Sequence, residues 1–160
     1  MCHRCGITER RDEFNEDHSR RYLAYRAWNP SRPPLVTILA NPAKYDAYGE
    51  NATTRSVMGI ACRNGFGSVI LVNLDPRLSS KPLAKGPLND GRNGKMLQVA
   101  LGQGHPVWIG WGATMWPAAE AWMAVRPRNC KIVSLGKTRH GHPKHPGRKP
   151  YDSPLVAWID

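Results

Sequence analysis

The sequence lacks a long apolar stretch. None of its hydrophobic runs approaches the ~20 residues that a membrane-spanning helix needs, and its first twenty residues carry too many charges for a secretory signal peptide. Cysteine is also scarce, with four in 160 residues, and Cys62 and Cys130 fall in apolar segments typical of a protein core. A disulfide framework is therefore not expected, and we predict a soluble, cytoplasmic protein with no membrane partner.

Acidic residues are few as well. The chain has 12 Asp/Glu against 23 Lys/Arg, which gives a formal net charge of +11. Residues 1–26 hold six basic and five acidic side chains, so 17 basic and seven acidic ones remain for the rest of the chain. Such a surplus is typical of proteins that bind a polyanion, nucleic acid first. A surface charged only for solubility is the alternative.

The N-terminal segment, residues 1–21, contains a single Cys-x-x-Cys pair, Cys2 and Cys5. The pair resembles the first half of a zinc ribbon, but a structural zinc needs four ligands and no second pair follows. Only His3 and His18 are nearby. We therefore interpret residues 1–21 as an extension, at most a vestigial zinc-ribbon half, and expect neither a metal nor a cofactor.

From residue 22 onward, strand and helix patterns alternate. Short apolar runs predict strands, the first of them an edge strand, and apolar residues at helical spacing predict helices between them. The predicted strands cover residues 22–28, 33–40, 68–74, 106–112 and 130–136. The predicted helices cover residues 53–65, with Thr53 or Thr54 as N-cap, a segment that begins near Asp90, and residues 113–126. This order predicts one α/β domain over residues 22–160, a three-layer α/β/α sandwich with a mainly parallel central sheet.

Polar, glycine and proline residues follow the predicted strands where their apolar character stops. "ILANPAKYD" ends one strand, "LVNLDPR" the next, "GWGAT" the third and "SLGKTRHGHPKHP" the last. In parallel sheets, ligands bind beyond the carboxyl ends of the strands. We therefore predict that these four tails converge on one binding site.

The same segments carry a family resemblance. "LANPAKYD", "NATTRS", "GFGSVILVNL", "LND", "WIGWGA" and "LGKTRHGHPKHP", in this order over roughly residues 22–150, resemble the domain of unknown function family 1643 of bacteria and phages. That family has no assigned activity. The chain departs from the family pattern at Ala43, at Asn51-Ala52-Thr53, at Asp75 and at Gly147-Arg148. The family usually has serine, Asp-Pro-Thr, an aromatic residue and Leu-Tyr at these places.

The series is also similar, more distantly, to the uracil-DNA glycosylase superfamily. There, an Asn-Pro loop after the first core strand holds the hydrolytic water, an Asn at the end of the next strand reads the base edge, and a His-Pro loop stabilises the departing base. The matching positions here are Asn41-Pro42, Asn73 and His145-Pro146. The resemblance implies a uracil-DNA glycosylase-like fold and a DNA glycosylase-like hydrolase that acts on an N-glycosidic bond, that of a modified base included.

Three residues are the catalytic candidates under this resemblance. Cleaving an N-glycosidic bond places negative charge on the base, so the reaction needs a donor at the base oxygen and a positioned water. His145 is the candidate donor, held by prolines in its loop and kept neutral by neighbouring cations. Asn41 could orient the water, and Asp46 is the candidate base.

The candidate binding residues surround these three. Tyr45 could stack on a base or only cover the sheet edge, and Asn73 could read a base or bond the adjacent loop backbone. Gly112 could open a helix whose free N–H groups take a phosphate, or serve close packing. The full set of predicted binding residues is Pro42, Tyr45, Asn73, Gly112, Lys137, Arg139, His142 and Lys144.

Three kinds of function therefore compete. The first is an enzyme acting on nucleic acid or a nucleotide. The second is a non-catalytic nucleotide- or DNA-binding module, for example in phage DNA modification or anti-defence, which the missing family serine and aspartate favour. The third is a metalloprotein using Cys2, Cys5, His18 and the His-rich loop, but the positive charge of that loop would repel a cation.

Overall fold

Two continuous apolar runs form the middle of the sheet. They are β3 (Pro34–Leu39) and β4 (Ser68–Asn73), and every residue of β4 is buried, as expected of a strand covered on both faces. The computed structural model describes residues 6–45, 49–80, 90–113 and 116–160. Within these residues the chain forms seven strands and three helices.

The remaining elements lie around this central pair. The other strands are β1 (Glu9–Phe14), β2 (Arg21–Ala27), β5 (Val107–Ile109), β6 (Ile132–Ser134) and β7 (Val156–Ala157). The helices are α1 (Ala52–Arg63), α2 (Gly91–Leu101) and α3 (Trp116–Val125). The predicted alternation of strands and helices from β3 to β6 is confirmed. None of the helices in the described residues is long and apolar enough to cross a membrane.

The sheet is mixed, so the prediction of a mainly parallel sheet was wrong. The strand order is β1-β2-β4-β3-β5-β6-β7. Strands β4, β3, β5 and β6 run parallel, whereas β1, β2 and β7 join by antiparallel pairing. Strand β2 is an interior strand rather than the predicted edge strand, because β1 pairs along its outer side.

Alternating side chains of β3 enter two separate cores. Leu35 packs with Val57 of α1 on one face of the sheet. Val36 packs with Ala100 of α2 and Trp122 of α3 on the other face. Because successive side chains of a strand point to opposite faces, α1 covers one side and α2 and α3 cover the other. The α/β class and the three layers therefore agree with the sequence prediction.

Two polar side chains fix where the helices begin. Asn51 caps α1, and its Oδ1 accepts the N–H of Thr54 at 2.9 Å. The predicted cap, Thr53 or Thr54, was wrong; asparagine is a stronger N-cap than threonine and stands directly before the first turn. Asp90 caps α2, near where the sequence predicts this helix to begin, and accepts the N–H of Asn93 at 3.0 Å.

The segment interpreted as an extension contributes a strand to the sheet. Strand β1 pairs with β2 from Glu9 opposite Ala27 to Phe14 opposite Arg21. The possible zinc-ribbon half, with Cys2 and Cys5, lies outside the described residues.

Candidate functional site

The order of strands reverses at β3. The chain leaves β3 through α1 to reach β4 on one side, and α2 then returns it to β5 on the other side. The carboxyl end of β3 is therefore a topological switch point, where α/β sheets form their ligand crevices. A cleft of about 340 Å³, here called the outer cleft, opens at this point. It is lined by Ala40, Asn41, Ala43, Thr53, Ser79, Ser80, Trp111, Gly112, Ala113 and His145.

A second space of about 30 Å³, here called the inner chamber, adjoins the outer cleft. The two share Asn41, Ala43, Thr53 and His145. The other residues of the inner chamber are Arg21, Leu39, Pro42, Asn51, Thr54, Leu71 and Asn73. Asn41, Asn73 and His145 come from three distant stretches of the chain, and they lie around one cavity, as the positions of the strand ends predict.

Asn41 and Pro42 are held by the loop that follows β4. Asn41 Nδ2 donates to the Ser79 carbonyl at 3.1 Å, and the Ser79 N–H donates to the Pro42 carbonyl at 2.9 Å. Asn41 Oδ1 has no hydrogen-bond partner among the described residues. This carbonyl oxygen is therefore available to accept a hydrogen bond from a water or a ligand, although an amide cannot remove a proton.

Asn73 and Arg21 form the buried floor of the inner chamber. Asn73 is 1% exposed and Arg21 is 2% exposed. Asn73 Oδ1 accepts from Arg21 Nη2 at 3.4 Å, so its side chain bonds Arg21 rather than the adjacent loop backbone. Asn73 Nδ2 and Arg21 Nε have no partner in the described part of the chain. Buried donors without acceptors cost free energy, so these two atoms mark the chamber as a place for an acceptor.

His145 is held in one tautomer. The N–H of Gly147 donates to Nδ1 of His145 at 3.0 Å, which requires an unprotonated Nδ1 and places the proton of the neutral ring on Nε2. Although the residue has an exposed surface, packing removes water from the ring and lowers the pKa of His145 below 6.5. The neutral form was predicted, but its cause is dehydration of the ring and not the cations of the loop.

Residues 135–147 form a hairpin that directs the other loop side chains elsewhere. Lys137 pairs with Pro143, and the N–H of Thr138 donates to the His142 carbonyl at 2.7 Å. Four predicted binding residues line neither cavity, namely Lys137, Arg139, His142 and Lys144. The structure therefore does not bring these four residues to the site.

Two of these cations have other contacts. Lys137 Nζ donates to the Ile159 carbonyl and lies 4.7 Å from the ring centroid of Trp158. Arg139 is exposed, and its Nε donates to Nε2 of His140 at 2.9 Å. Lys137 thus fastens the C-terminal segment, and Arg139 lies on the outer surface of the hairpin.

Gly112 shapes the cleft through its backbone. Its φ of 73° lies in the region that favours glycine. Its N–H donates to the Pro143 carbonyl at 3.1 Å, so this donor is not free for a phosphate as predicted, and α3 begins only at Trp116. A Cβ at position 112 would lie 3.6 Å from Cβ of His145. Gly112 therefore joins the end of β5 to the His-Pro loop by close packing.

Tyr45 belongs to a buried network of charges. Its hydroxyl donates to Asp12 Oδ1 at 2.5 Å and accepts from Arg21 at 2.8 Å and from Arg26 at 3.3 Å. Burial, opposed by the charge of Arg21, raises the pKa of the Tyr45 hydroxyl. Tyr45 lines neither cavity, so the structure does not place it to stack on a ligand there. Asp46, the predicted base, lies outside the described residues.

The first turn of α1 faces both cavities. Asn51 Oδ1 takes the N–H of Thr54, but the N–H groups of Ala52 and Thr53 have no acceptor within a helix. Thr53 lines the outer cleft and the inner chamber. The start of a helix favours negative charge, so Thr53 adds a donor of the same kind as Arg21.

Among the described residues, no group of three or more His, Cys, Asp or Glu is placed to hold a metal ion. Burial raises the pKa of the Cys130 thiol. The described part of the site thus offers hydrogen-bond donors, the Asn41 carbonyl oxygen and one buried cation.

Comparison of the sequence with models of known families identifies the family of this chain. The sequence model of the family described as a protein of unknown function (DUF1643) matches residues 21–147. The chain belongs to this family. No curated protein and no solved structure matches the chain. The DUF1643 match includes every residue that lines the outer cleft and the inner chamber.

The positions that depart from the DUF1643 pattern have distinct places in the structure. Ala43 lines both cavities, so the wall lacks the hydroxyl that a serine would supply. Asn51 replaces the family's aspartate and still caps α1. Asp75 is buried, pairs with Arg77 at 2.6 Å and lines neither cavity. Of these three, Ala43 removes a hydroxyl and Asn51 removes a carboxylate from the lining of the site, whereas Asp75 lies outside it.

Three site residues were missed by sequence analysis. They are Arg21, Thr53 and Ser79, and all three line one or both cavities. Thr53 lies in the DUF1643 motif "NATTRS", which could have indicated it. Arg21 follows Arg20 in a charged stretch and carries no signal, because its burial depends on the pairing of β1 and β4 with β2.

Proposed function

We propose that this DUF1643 chain binds a nucleobase in the outer cleft and hydrolyses the N-glycosidic bond between the base and its sugar, as a DNA glycosylase-like enzyme whose partner is nucleic acid or a nucleotide. The observation that carries the proposal is the meeting of Asn41, Asn73 and His145 around one cavity at the switch point. The cleft has the size of a small-molecule site, and Trp111 gives it an aromatic wall.

In the proposed reaction the bond between the sugar C1′ and the base nitrogen breaks, and its electron pair leaves with the base. Negative charge then develops on the base oxygens. Nε2–H of His145 donates to one such oxygen, and the Gly147 contact fixes this donor before the substrate binds. Asn73 Nδ2, buried and without a partner in the described residues, suits a second acceptor on the base edge.

Water completes the proposed reaction at C1′. Its oxygen bonds to C1′ and its proton passes to a base, for which Asp46 is the candidate from the sequence. Asn41 Oδ1 accepts a hydrogen bond from this water and orients it. The departing base then takes up a proton from solvent.

The second candidate is a binding module without catalysis. None of the residues that the described part of the chain contributes to the two cavities is a carboxylate. Ala43 also lacks the hydroxyl of the family serine. In this alternative a base or nucleotide would be held in the outer cleft and not cleaved.

Cleavage of modified DNA tests the proposal. The protein is incubated with oligonucleotides that contain uracil, hydroxymethyluracil or other modified bases, and abasic sites are counted. We expect wild type to produce them and His145→Ala to slow the reaction by about 10²–10³-fold, the usual loss for one donor to a developing oxyanion. His140→Ala is the matched control, because His140 is an exposed imidazole on the same hairpin that lines neither cavity.

The outcomes separate the candidates. Base binding that His145→Ala weakens, with no abasic sites from any substrate, would favour the module. Equal cleavage by wild type and His145→Ala would refute the role of His145. If the protein neither cleaves nor binds any base, both candidates are refuted.

A further inference from the structure

Arg21 is a buried cation with no acidic partner in the described part of the chain. Its side chain is inside the protein, with 2% of the residue exposed. Its hydrogen bonds go to two neutral groups, the Tyr45 hydroxyl at 2.8 Å and Asn73 Oδ1 at 3.4 Å. Burying a charge without a counter-charge is unfavourable, because the charge loses its hydration. A bound anion would offset the free energy that is lost by burying the Arg21 guanidinium.

The charges around Arg21 do not balance it. Arg26 contacts Glu50 and Asp12, and Arg10 contacts Glu50 as well at 3.1 Å. Within the described residues this network therefore contains three guanidinium groups, that of Arg21 included, and two carboxylates. Asp12 reaches Arg21 only through the intervening Tyr45 hydroxyl.

Two residues that line the inner chamber each carry a buried donor without a partner in the described part of the chain. Arg21 Nε and Asn73 Nδ2 are both buried and lack partners among the described residues. Thr53, in the first turn of α1, lines the same chamber, and the start of a helix favours negative charge. The chamber, at about 30 Å³, has room for roughly two water-sized oxygen atoms. Its lining thus offers a positive charge and several donors to a very small group.

We propose that the inner chamber is an oxyanion site in which Arg21 is the counter-charge for a negatively charged oxygen of the ligand. This inference deepens the proposed function and rests on it, because the ligand in the outer cleft carries that oxygen. The oxygen has two possible sources. One is a phosphate of a nucleotide, charged before binding, and the other is a base oxygen that gains charge as the glycosidic bond breaks.

Binding measured without turnover distinguishes the two sources. Calorimetry on the whole chain compares thymidine 5′-monophosphate with thymidine, with inorganic phosphate as a minimal probe. It also compares 5-nitrouracil with uracil, at a pH that ionises only the nitro compound. We expect the anionic member of one pair to bind about 10-fold more tightly or better, as for a hydrogen bond to a charged group. In Arg21→Gln this preference should disappear.

The stability of the ligand-free chain gives an independent readout. Arg21→Gln removes a buried charge that has no carboxylate partner in the described residues, so it should raise the melting temperature. Arg26→Gln is the matched control on the same strand, and it should lower the melting temperature because Asp12 loses its cation and Glu50 loses one of two. If Arg21 had a purely structural role, Arg21→Gln would lower the melting temperature as Arg26→Gln does.

The outcomes distinguish this inference from the proposed hydrolase. Two binding results would overturn the oxyanion site: a preference for anions that persists in Arg21→Gln, or no such preference in either ligand pair of the wild type. Destabilisation of Arg21→Gln equal to that of Arg26→Gln would overturn it as well. A chain that binds anions through Arg21 and cleaves no base would keep this site and lose the hydrolase. A chain that cleaves bases but shows no preference for anions would keep the hydrolase and lose this site.

Discussion

At the scale of single residues, the contact between Gly147 and His145 sets the tautomer of the imidazole beside the cleft. The Gly147 N–H fixes the Nε2–H tautomer, and dehydration lowers the pKa of the ring below 6.5. Protonation of His145 therefore opposes folding. Its contribution to stability is present above pH 6.5 and is lost as the pH falls through the lowered pKa. We expect an NMR titration to give a His145 pKa below 6.5 and nitrogen shifts of the Nε2–H tautomer at neutral pH.

Gly147→Ala is the matching variant for this titration. A Cβ at position 147 would lie 2.9 Å from Nδ1 of His145, so the ring must move away. The displaced ring should gain water and its pKa should rise toward 6.5. A wild-type pKa at or above 6.5, or the Nδ1–H tautomer, would contradict the assignment of a neutral donor.

Arg21 illustrates why some site residues cannot be found from sequence. Arg20 and Arg21 are consecutive in β2 and its approach, so their side chains point in opposite directions. Arg20 is exposed enough to reach Asp90 at the surface, whereas Arg21 is buried. Two neighbouring arginines thus differ in burial, and the difference depends on the strands that flank β2. Asn41 directly follows an apolar run and Asn73 ends one, whereas His145 lies in the loop after the last predicted strand. Their meeting was predictable because the sequence indicates the three strands whose carboxyl ends share one edge of the sheet.

At the scale of elements, the glycine in the middle of α1 is a packing requirement. A Cβ at Gly59 would lie 2.6–2.8 Å from ring atoms of Tyr151, which belongs to the C-terminal segment. Alanine would improve helix propensity by about 1 kcal/mol, but the clash should outweigh it. We expect Gly59→Ala to lower the free energy of unfolding by about 1–3 kcal/mol, as for other overpacked sites, in chemical denaturation.

Gly94→Ala in α2 is the control for Gly59→Ala. A Cβ at position 94 meets no atom within 4 Å, so the same substitution should gain about 0.8–1 kcal/mol from helix propensity. If both variants had a higher free energy of unfolding than wild type, propensity and not contact with Tyr151 would decide the effect at position 59.

The elements differ in how well the sequence predicts them. Strands β3 and β4 were found because continuous apolar runs are typical of strands buried on both faces. Strand β1, with the sequence ERRDEF, has no such run, and it is a strand because it pairs with β2. Strand β7 has only two residues. The mixed character of the sheet therefore comes from β1 and β7, whose own sequences carry little signal, and from β2, which the sequence indicates as a strand without indicating its direction relative to β4.

At the scale of the whole molecule, the positive charge serves two separate places. Arg21 supplies a buried cation to the inner chamber, whereas Arg139 and the other cations of the hairpin lie outside both cavities. The sequence predicted the surplus and not this division, because side-chain direction in residues 135–147 depends on the hairpin. Under the proposed function the inner cation would act on one small group, and the outer cations would act on a longer polyanion.

Salt dependence tests that outer role. If single-stranded DNA crosses the hairpin, its affinity should fall with salt by a slope of about −0.7 for each neutralised phosphate. Arg139→Gln should then reduce the magnitude of the slope by about one phosphate contact, measured by fluorescence anisotropy at several salt concentrations. Arg32→Gln is the control, since Arg32 is equally exposed but lies before β3, at the opposite end of the sheet from the cleft. Equal slopes for both variants would exclude the hairpin as the path of the DNA. If a nucleotide binds and Arg139→Gln does not change the salt dependence of its affinity, a free nucleotide is favoured as the ligand.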